Sequence, residues 1–212
     1  MRTLAIETAS EACSIALFDG AKLTAHDHRV LGRGHAEALV PMIGSLPEKG
    51  QADRILVSLG PGSFTGVRIG IATARALAVA WDVPVIGYPT LALVAVRAWQ
   101  PSPRPVTVCM NGGHGEWFLQ NFDGAVPQDE HQSLPPEEAA NACLHDVIVG
   151  NRAQELADLR MGRDPLALDL LPDARCVGLL HESQLTTDLS PIYGRAPDAV
   201  PQPANHAAGK SA

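Results

Sequence analysis

Apolar and polar positions along the chain change period several times, and each change marks an element. Residues 3–8 and 13–18 are apolar with few breaks. They are joined by Thr8-Ala9-Ser10-Glu11-Ala12, a pattern for two strands in a hairpin. Asp19-Gly20 predicts a second tight turn, and residues 22–29 a third strand. Gly32 and Gly34 then break the chain. Leu39, Met42, Ile43 and Leu46 recur at helical spacing, which predicts a helix over 35–46, kinked or delayed by Pro41 and ended by Pro47. Residues 55–59 read as a strand, 66–81 as a helix and 83–87 as a strand; Thr90 is placed to cap a helix over 91–99. Three antiparallel strands followed by alternating helices and strands predict an α/β fold, a mixed sheet covered by helices.

Gln100-Pro101-Ser102-Pro103-Arg104-Pro105 reads as a stiff proline linker. It divides residues 1–99 from a second half over 106–195. That half predicts strands at 106–110, 116–122 and 147–149, and helices at 135–143, 151–159 and 172–185. Residues 196–212 are rich in Pro, Ala and Asn without periodicity, the pattern of a disordered tail.

Composition narrows the function. Of 212 residues, 46% are apolar, enough for a substantial core. Net charge is -7, with no Lys/Arg run to displace counterions, so contact with any nucleic acid is expected through a partner. Cys13, Cys109, Cys143 and Cys176 are scattered with no CxxC pair, the usage of reduced thiols in a cytoplasmic protein. No charged n-region with an apolar h-region opens the chain, so no signal peptide is expected. No apolar run approaches the roughly 20 residues of a membrane span, so no membrane contact is expected.

The most informative stretch is Gly60-Pro61-Gly62-Ser63-Phe64-Thr65-Gly66, between a strand and a helix. It lacks the Gly-Lys-Ser/Thr of a Walker loop, and its glycines are spaced GxGxxxG rather than GxGxxG. Its elements still suit an anion. Gly60 and Gly62 permit open backbone angles, Ser63 and Thr65 can cap the helix near Gly66, and amides at a helix start favour phosphate. Glu7, at the end of the first strand, is a candidate to hold a metal-bound phosphate. A tight turn with no ligand explains the same residues.

The helix that follows has almost no polar face. Gly66, Gly70, Ala74 and Ala78 recur every fourth residue as a ridge on which another helix can pack closely. Arg68 and Arg75, seven apart, share a stripe. Such a helix must be covered on most sides, and the expectation is a partner on the ridge, helped by His35, Leu39 and Met42 of the preceding helix. Burial within the chain's own layers is the competing reading. His26 and His28 face the same way in a strand without a third ligand, and no HExxH, Gly-x-Ser-x-Gly or acid-base-nucleophile set occurs.

Residues 4–17, with Ile6-Glu7-Thr8-Ala9-Ser10-Glu11-Ala12-Cys13-Ser14 at their centre, resemble the opening hairpin of the TsaB (YeaZ) family. Gly34-His35-Ala36-Glu37-Ala38-Leu39-Val40-Pro41 resembles its first helix, and residues 60–70 are similar to its most characteristic segment. Pro191-Ile192-Tyr193-Gly194-Arg195 resembles its C-terminal Pro-x-Tyr-x-Arg. The resemblance implies two related halves of the actin, sugar-kinase and heat-shock ATPase type, with mixed sheets flanked by helices. It implies a role in installing threonylcarbamoyl on the adenosine next to the tRNA anticodon. There the paralogue TsaD carries the metal and the transfer chemistry, the ATPase TsaE joins, and TsaB is the dimerisation subunit with no transfer chemistry of its own. The wider family carries an older glycoprotease label, which no motif in this chain supports. Two departures stand out. Glu7 replaces the family's usual Asp, and Asn111-Gly112-Gly113-His114-Gly115-Glu116-Trp117-Phe118 replaces Asp-Ala-Arg-x-Gly-Glu-Val-Tyr.

Two functions follow. One is a non-catalytic scaffold that binds TsaD and TsaE through the helices at 35–46 and 66–81, forms a homodimer when isolated, and has no cofactor of its own, with ATP or ADP at a complex interface. The other is a nucleotide-dependent phosphotransferase or hydrolase that uses Glu7 and the loop Gly60, Gly62, Ser63, Thr65 and Gly66.

Overall fold

The structure, a computed structural model, describes residues 1–99, 103–160 and 162–194. The predicted tail at 196–212 and the first half of the linker lie outside the described residues. Strands β1 (Arg2–Glu7), β2 (Ala12–Asp19) and β3 (Lys22–Val30) form an antiparallel meander. Strands β4 (Arg54–Ser58) and β5 (Val85–Tyr88) add in parallel beside β1, giving the order β3-β2-β1-β4-β5. The inner strands are apolar on both faces because both are covered. Leu4, Ile6, Ile55 and Val57 pack under helices α1 (His35–Ser45) and α2 (Phe64–Trp81). Their alternates Ala5 and Leu56 pack with Tyr88 under helix α3 (Thr90–Arg97).

The second sheet runs β11-β10-β6-β7-β8, with β9 also paired to β7. Its strands are β6 (Val106–Gly113), β7 (Glu116–Asp123), β8 (Val126–Pro127), β9 (Gln132–Leu134), β10 (Val147–Val149) and β11 (Leu166–Leu168). One face rests on α3 through Val106, Val108, Phe118 and Phe122. The other is covered by α4 (Pro136–Ala142) and α5 (Ala153–Leu159). The layers therefore alternate helix, sheet, helix, sheet, helix. Every residue from Thr90 to Val96 is buried, because α3 is shared between the two sheets. Each fully buried Leu there is worth about 1.5–3 kcal/mol.

Several expectations are corrected. No helix spans 172–185; the segment makes two 3-10 turns, Ala174–Leu179 and Glu182–Gln184. The buried Asp173 carboxylate accepts from the Arg175 backbone and guanidinium, which fixes a sharp entry, and Leu180 returns to extended backbone. His28 of the predicted histidine pair lies 3.7 Å from Asp173. Thr90 is the first residue of α3 rather than its cap; its hydroxyl pairs with Ser58 Oγ at 2.5 Å. Helix α2 begins at Phe64, capped by Ser63 Oγ accepting from Gly66 N (3.2 Å), and Thr65 lies inside the first turn. Helix α1 runs through Pro41 to Ser45. β8, β9 and β11 are too short to carry a periodic signal. No helix among the described residues is long and apolar enough to cross a membrane.

Candidate functional site

The β1–β2 turn is the node on which the site is built. Glu7 Oε1 accepts from Ala9 N at 2.7 Å. Ala9 O accepts from Ser63 N at 2.7 Å, and Thr8 Oγ1 donates to Gly66 O at 2.7 Å. The Glu11 carbonyl accepts from Leu31 N and Gly32 N. The glycine loop is thus pressed on the turn. A Cβ at Gly62 or Gly66 would overlap the carbonyl oxygens of Ala9 and Thr8, and one at Gly60 (φ +91°) would lie 2.8 Å from Ile192 O. Backbone contact explains all three glycines, Gly62 and Gly66 against the turn and Gly60 against Ile192 O, and the Ser63 and Gly66 amides are already bonded to Ala9 O and Ser63 Oγ.

Glu7 is fully buried under this turn and does not line the open space. Its Oε2 has no partner, and burial pushes the carboxyl up to about 7, opposed by the bond from Ala9. Among the described residues no three His, Cys, Asp or Glu side chains form a metal-sized group.

That cleft, about 1040 Å³, opens between the halves. Its first-half wall is the β1–β2 turn, the 32–37 segment and the loop from Pro61 to Gly66; its second-half wall is the β6–β7 hairpin with Asn111 and His114, Phe118 and Asn151. The divergent segment at 111–118 therefore faces the cleft. Two of its polar groups are engaged within the chain. Glu11 accepts twice from Asn151 Nδ2 (2.8 and 3.0 Å), bridging the halves, and the buried His35 ring lies 3.3 Å from Ala12 O. Nothing in the sequence signals the Glu11–Asn151 pair, 140 residues apart.

Helix α2 closes the first half, and its small-residue ridge points inward. Gly66, Gly70 and Ala74 are buried, and a Cβ at Gly70 would lie 2.5 Å from Thr8 Oγ1. Ala78 is half-buried on the same core. His35, Leu39 and Met42 are likewise interior. Of the predicted partner-facing residues only Arg68 and Arg75 are exposed. The correction has a simple cause: α2 comes closest to the sheet where it crosses the face of β1 and β4, so its smallest residues face them. A second small-residue row, Ala72, Ala76 and Ala80, looks outward with Val79 (86% exposed) and Phe64 (51%).

Residues 186–194 return as a strap along this helix. Thr186 bridges to Gly87, and Ile192 N donates to Leu59 O. Tyr193 OH accepts from Arg68 Nη2 at 3.1 Å, its ring centroid is 5.3 Å from that of Phe64, and Arg68 Cζ lies 3.4 Å from the Phe64 centroid.

A three-stranded meander extended by parallel strands, paired with a second mixed sheet across a cleft, defines the actin-like class of two-lobed proteins. In agreement, EutJ from Carboxydothermus hydrogenoformans shares the fold at a TM-score of 0.50 and 8% identity, over 85% of this chain and 90% of that one. YeaZ from Pseudomonas aeruginosa superposes at a TM-score of 0.72 with 30% identity, over 83% of this chain and 88% of that one. The Escherichia coli protein named tRNA threonylcarbamoyladenosine biosynthesis protein TsaB is 34% identical over 74% of this chain and 68% of its own length. Residues 28–138 match the family described as TsaD: tRNA N6-adenosine threonylcarbamoyltransferase. The chain belongs to the TsaB (YeaZ) family, within the wider group that includes TsaD.

Proposed function

We propose that the chain is a non-catalytic scaffold subunit that binds a TsaD-family paralogue, together with TsaE, and positions it for threonylcarbamoyl transfer to the tRNA adenosine next to the anticodon. In this reading it works in the cytoplasm, meets tRNA only through the complex, and pairs with itself when isolated. It has no cofactor of its own, and ATP or ADP belongs at a junction between subunits. The observation that carries the reading is the outer face of α2, an exposed alanine row with Val79 uncovered and Phe64 half-exposed on a single chain. Contiguous apolar surface of this kind on a soluble protein marks an interaction site. The engaged state of Glu11 and His35 and the burial of Glu7 support the absence of chemistry in the cleft.

The test uses Ala76→Arg, because Ala76 is exposed and its replacement leaves the core intact. Copurification with the TsaD-family protein of the same cell should be abolished while the circular dichroism spectrum and melting temperature stay unchanged. Retained copurification would defeat the scaffold reading. Calorimetry with ATP and magnesium addresses the enzyme: tight binding by the isolated chain, lost in Glu7→Ala, would favour a phosphotransferase or hydrolase.

A further inference from the structure

Strand β3 is the outermost strand of the first sheet, and among the described residues no strand pairs with its outer edge. The ladder fixes which backbone groups look outward. Gly20 N donates to Met1 O and Leu31 N donates to Glu11 O, each one step beyond the paired residues of its ladder. In an antiparallel pair such bonded positions recur at every second residue. Both bonds give the same parity: Cys13, Ile15 and Leu17 of β2 bond Arg29, Asp27 and Ala25 of β3. The N–H and C=O groups of His26, His28 and Val30 therefore point away from the sheet, a template for another strand.

The usual devices that blunt such an edge are missing here. No Pro interrupts β3, and its register shift lies at the far end, opposite Leu17 and Phe18. Val30 is 65% exposed. The charges in the outward stretch are Asp27 and Arg29, of opposite sign. They share one face of the strand, where the Arg29 guanidinium donates to the Asp27 carboxylate at 3.1 and 2.5 Å.

Two copies of one edge related by a two-fold axis run antiparallel, and the charges then choose the register. With the axis at Asp27, that carboxylate stands opposite its own copy. With the axis at Arg29, two guanidinium groups meet. With the axis at His26, Asp27 and Arg29 face Ala25 and Leu23 and gain nothing. With the axis at His28, Asp27 stands opposite Arg29 of the second copy, twice over, while His26 and Val30 exchange backbone bonds. Opposite charges across an antiparallel pair stabilise it and like charges destabilise it. Positions 27 and 29 are the non-hydrogen-bonded ones, where side chains come closest. Burial holds the His28 imidazole below its ordinary pKa, so the two rings that meet on the axis carry no charge near neutral pH. One register is thus attractive, and the registers to either side of it are repulsive.

We infer that the outer edge of β3 is a self-pairing surface, on which a second copy of this chain adds its own β3 antiparallel with the two-fold axis at His28. Backbone bonds supply the affinity, and the Asp27–Arg29 pairs set the register. The inference rests on the self-pairing in the scaffold reading and gives it a place away from α2, which lies over β1 and β4 and keeps its outer face open.

Sedimentation of the full chain over a concentration series tests it. The wild type should form a concentration-dependent dimer. Arg29→Asp and Asp27→Arg each set like charges opposite one another and should weaken self-association about tenfold or more. The double variant Asp27→Arg/Arg29→Asp restores opposite signs and should dimerise within about threefold of the wild type. An equal mixture of the two single variants should form a heterodimer, because the acids of one face the cations of the other. His26→Pro removes an outward N–H without touching the ladder to β2, and should weaken the dimer with an unchanged circular dichroism spectrum. Arg29→Asp should still copurify with the TsaD-family protein. If the single variants dimerise as the wild type does, or the double variant fails to recover, the inference is overturned. If Ala76→Arg abolishes the dimer and Arg29→Asp leaves it intact, self-pairing uses α2, the inference is overturned and the scaffold reading stands. A monomeric wild type also overturns the inference, and copurification then decides the scaffold reading by itself.

Discussion

Glu7 illustrates how a single residue changes meaning between chain and fold. In the sequence it is a carboxylate at a strand end, suited to a metal. In the structure it is a buried acid with one bonded oxygen and one orphan. Its folded pKa is raised to about 7 from 4.5, so the folded chain keeps the proton over a range where the unfolded chain has lost it. Unfolding then releases a proton, and this residue makes stability fall as pH rises from about 4.5 to about 7, then level off. Glu7→Gln keeps the acceptor for Ala9 and removes the ionisation. Urea unfolding at pH 5 and pH 8 should show the wild type weaker at pH 8 and the variant nearly level, with a gain at pH 8 of up to about 3 kcal/mol. Gly66 makes a second residue-scale case. Gly66→Ala forces a methyl into the Thr8 carbonyl, and equilibrium unfolding should show a loss of about 2 kcal/mol or more, the cost of overpacking a close contact. Neither effect is legible in the sequence, because each depends on what lies 50 or more residues away.

At the level of elements, most of the first half could be read from periodicity. β1, β2 and β4 are apolar runs bounded by turn residues, and they form as predicted within a residue or two. The limits of that reading show in α2. A helix apolar on nearly every side gives no periodic clue to which side is inside, so the ridge at Gly66, Gly70 and Ala74 and the row at Ala72, Ala76 and Ala80 are equivalent in the sequence. Packing on β1 and β4 breaks the tie, because the sheet demands the smallest residues. The exposed face of α2 therefore lies about half a turn from the Gly66, Gly70 and Ala74 ridge, and Gly70 or Ala74 replacements would report on the core. The 172–185 segment shows the converse: it looks helical by composition, but Asp173 is bound to Arg175 and faces His28, and it folds as short turns.

For the molecule as a whole, the two halves are tied by α3 and by contacts between residues far apart in the chain. Ser14 Oγ accepts from Ala174 N at 3.0 Å, and Asn151 holds Glu11 across the cleft. The same Asn151 accepts from Asn111 N at 2.8 Å, so one side chain couples the β1–β2 turn to the β6–β7 hairpin. Asn151→Ala should therefore speed hydrogen exchange at the Leu31 and Gly32 amides, which rest on the Glu11 carbonyl, while costing only about 1 kcal/mol of global stability. Unchanged exchange at both would show that Asn151 does not couple the halves. By itself, the sequence determined the order of elements in the first half, the mixed α/β character and the family, because strand alternation, turn residues and motif spacing are local properties of the chain. The tertiary structure alone decided which face of α2 is free, that Glu7 lies beneath the turn, that Glu11 and Asn151 bond across the cleft, and that the strap lines α2. Those outcomes depend on which distant backbone approaches which side chain, and local pattern carries no record of that.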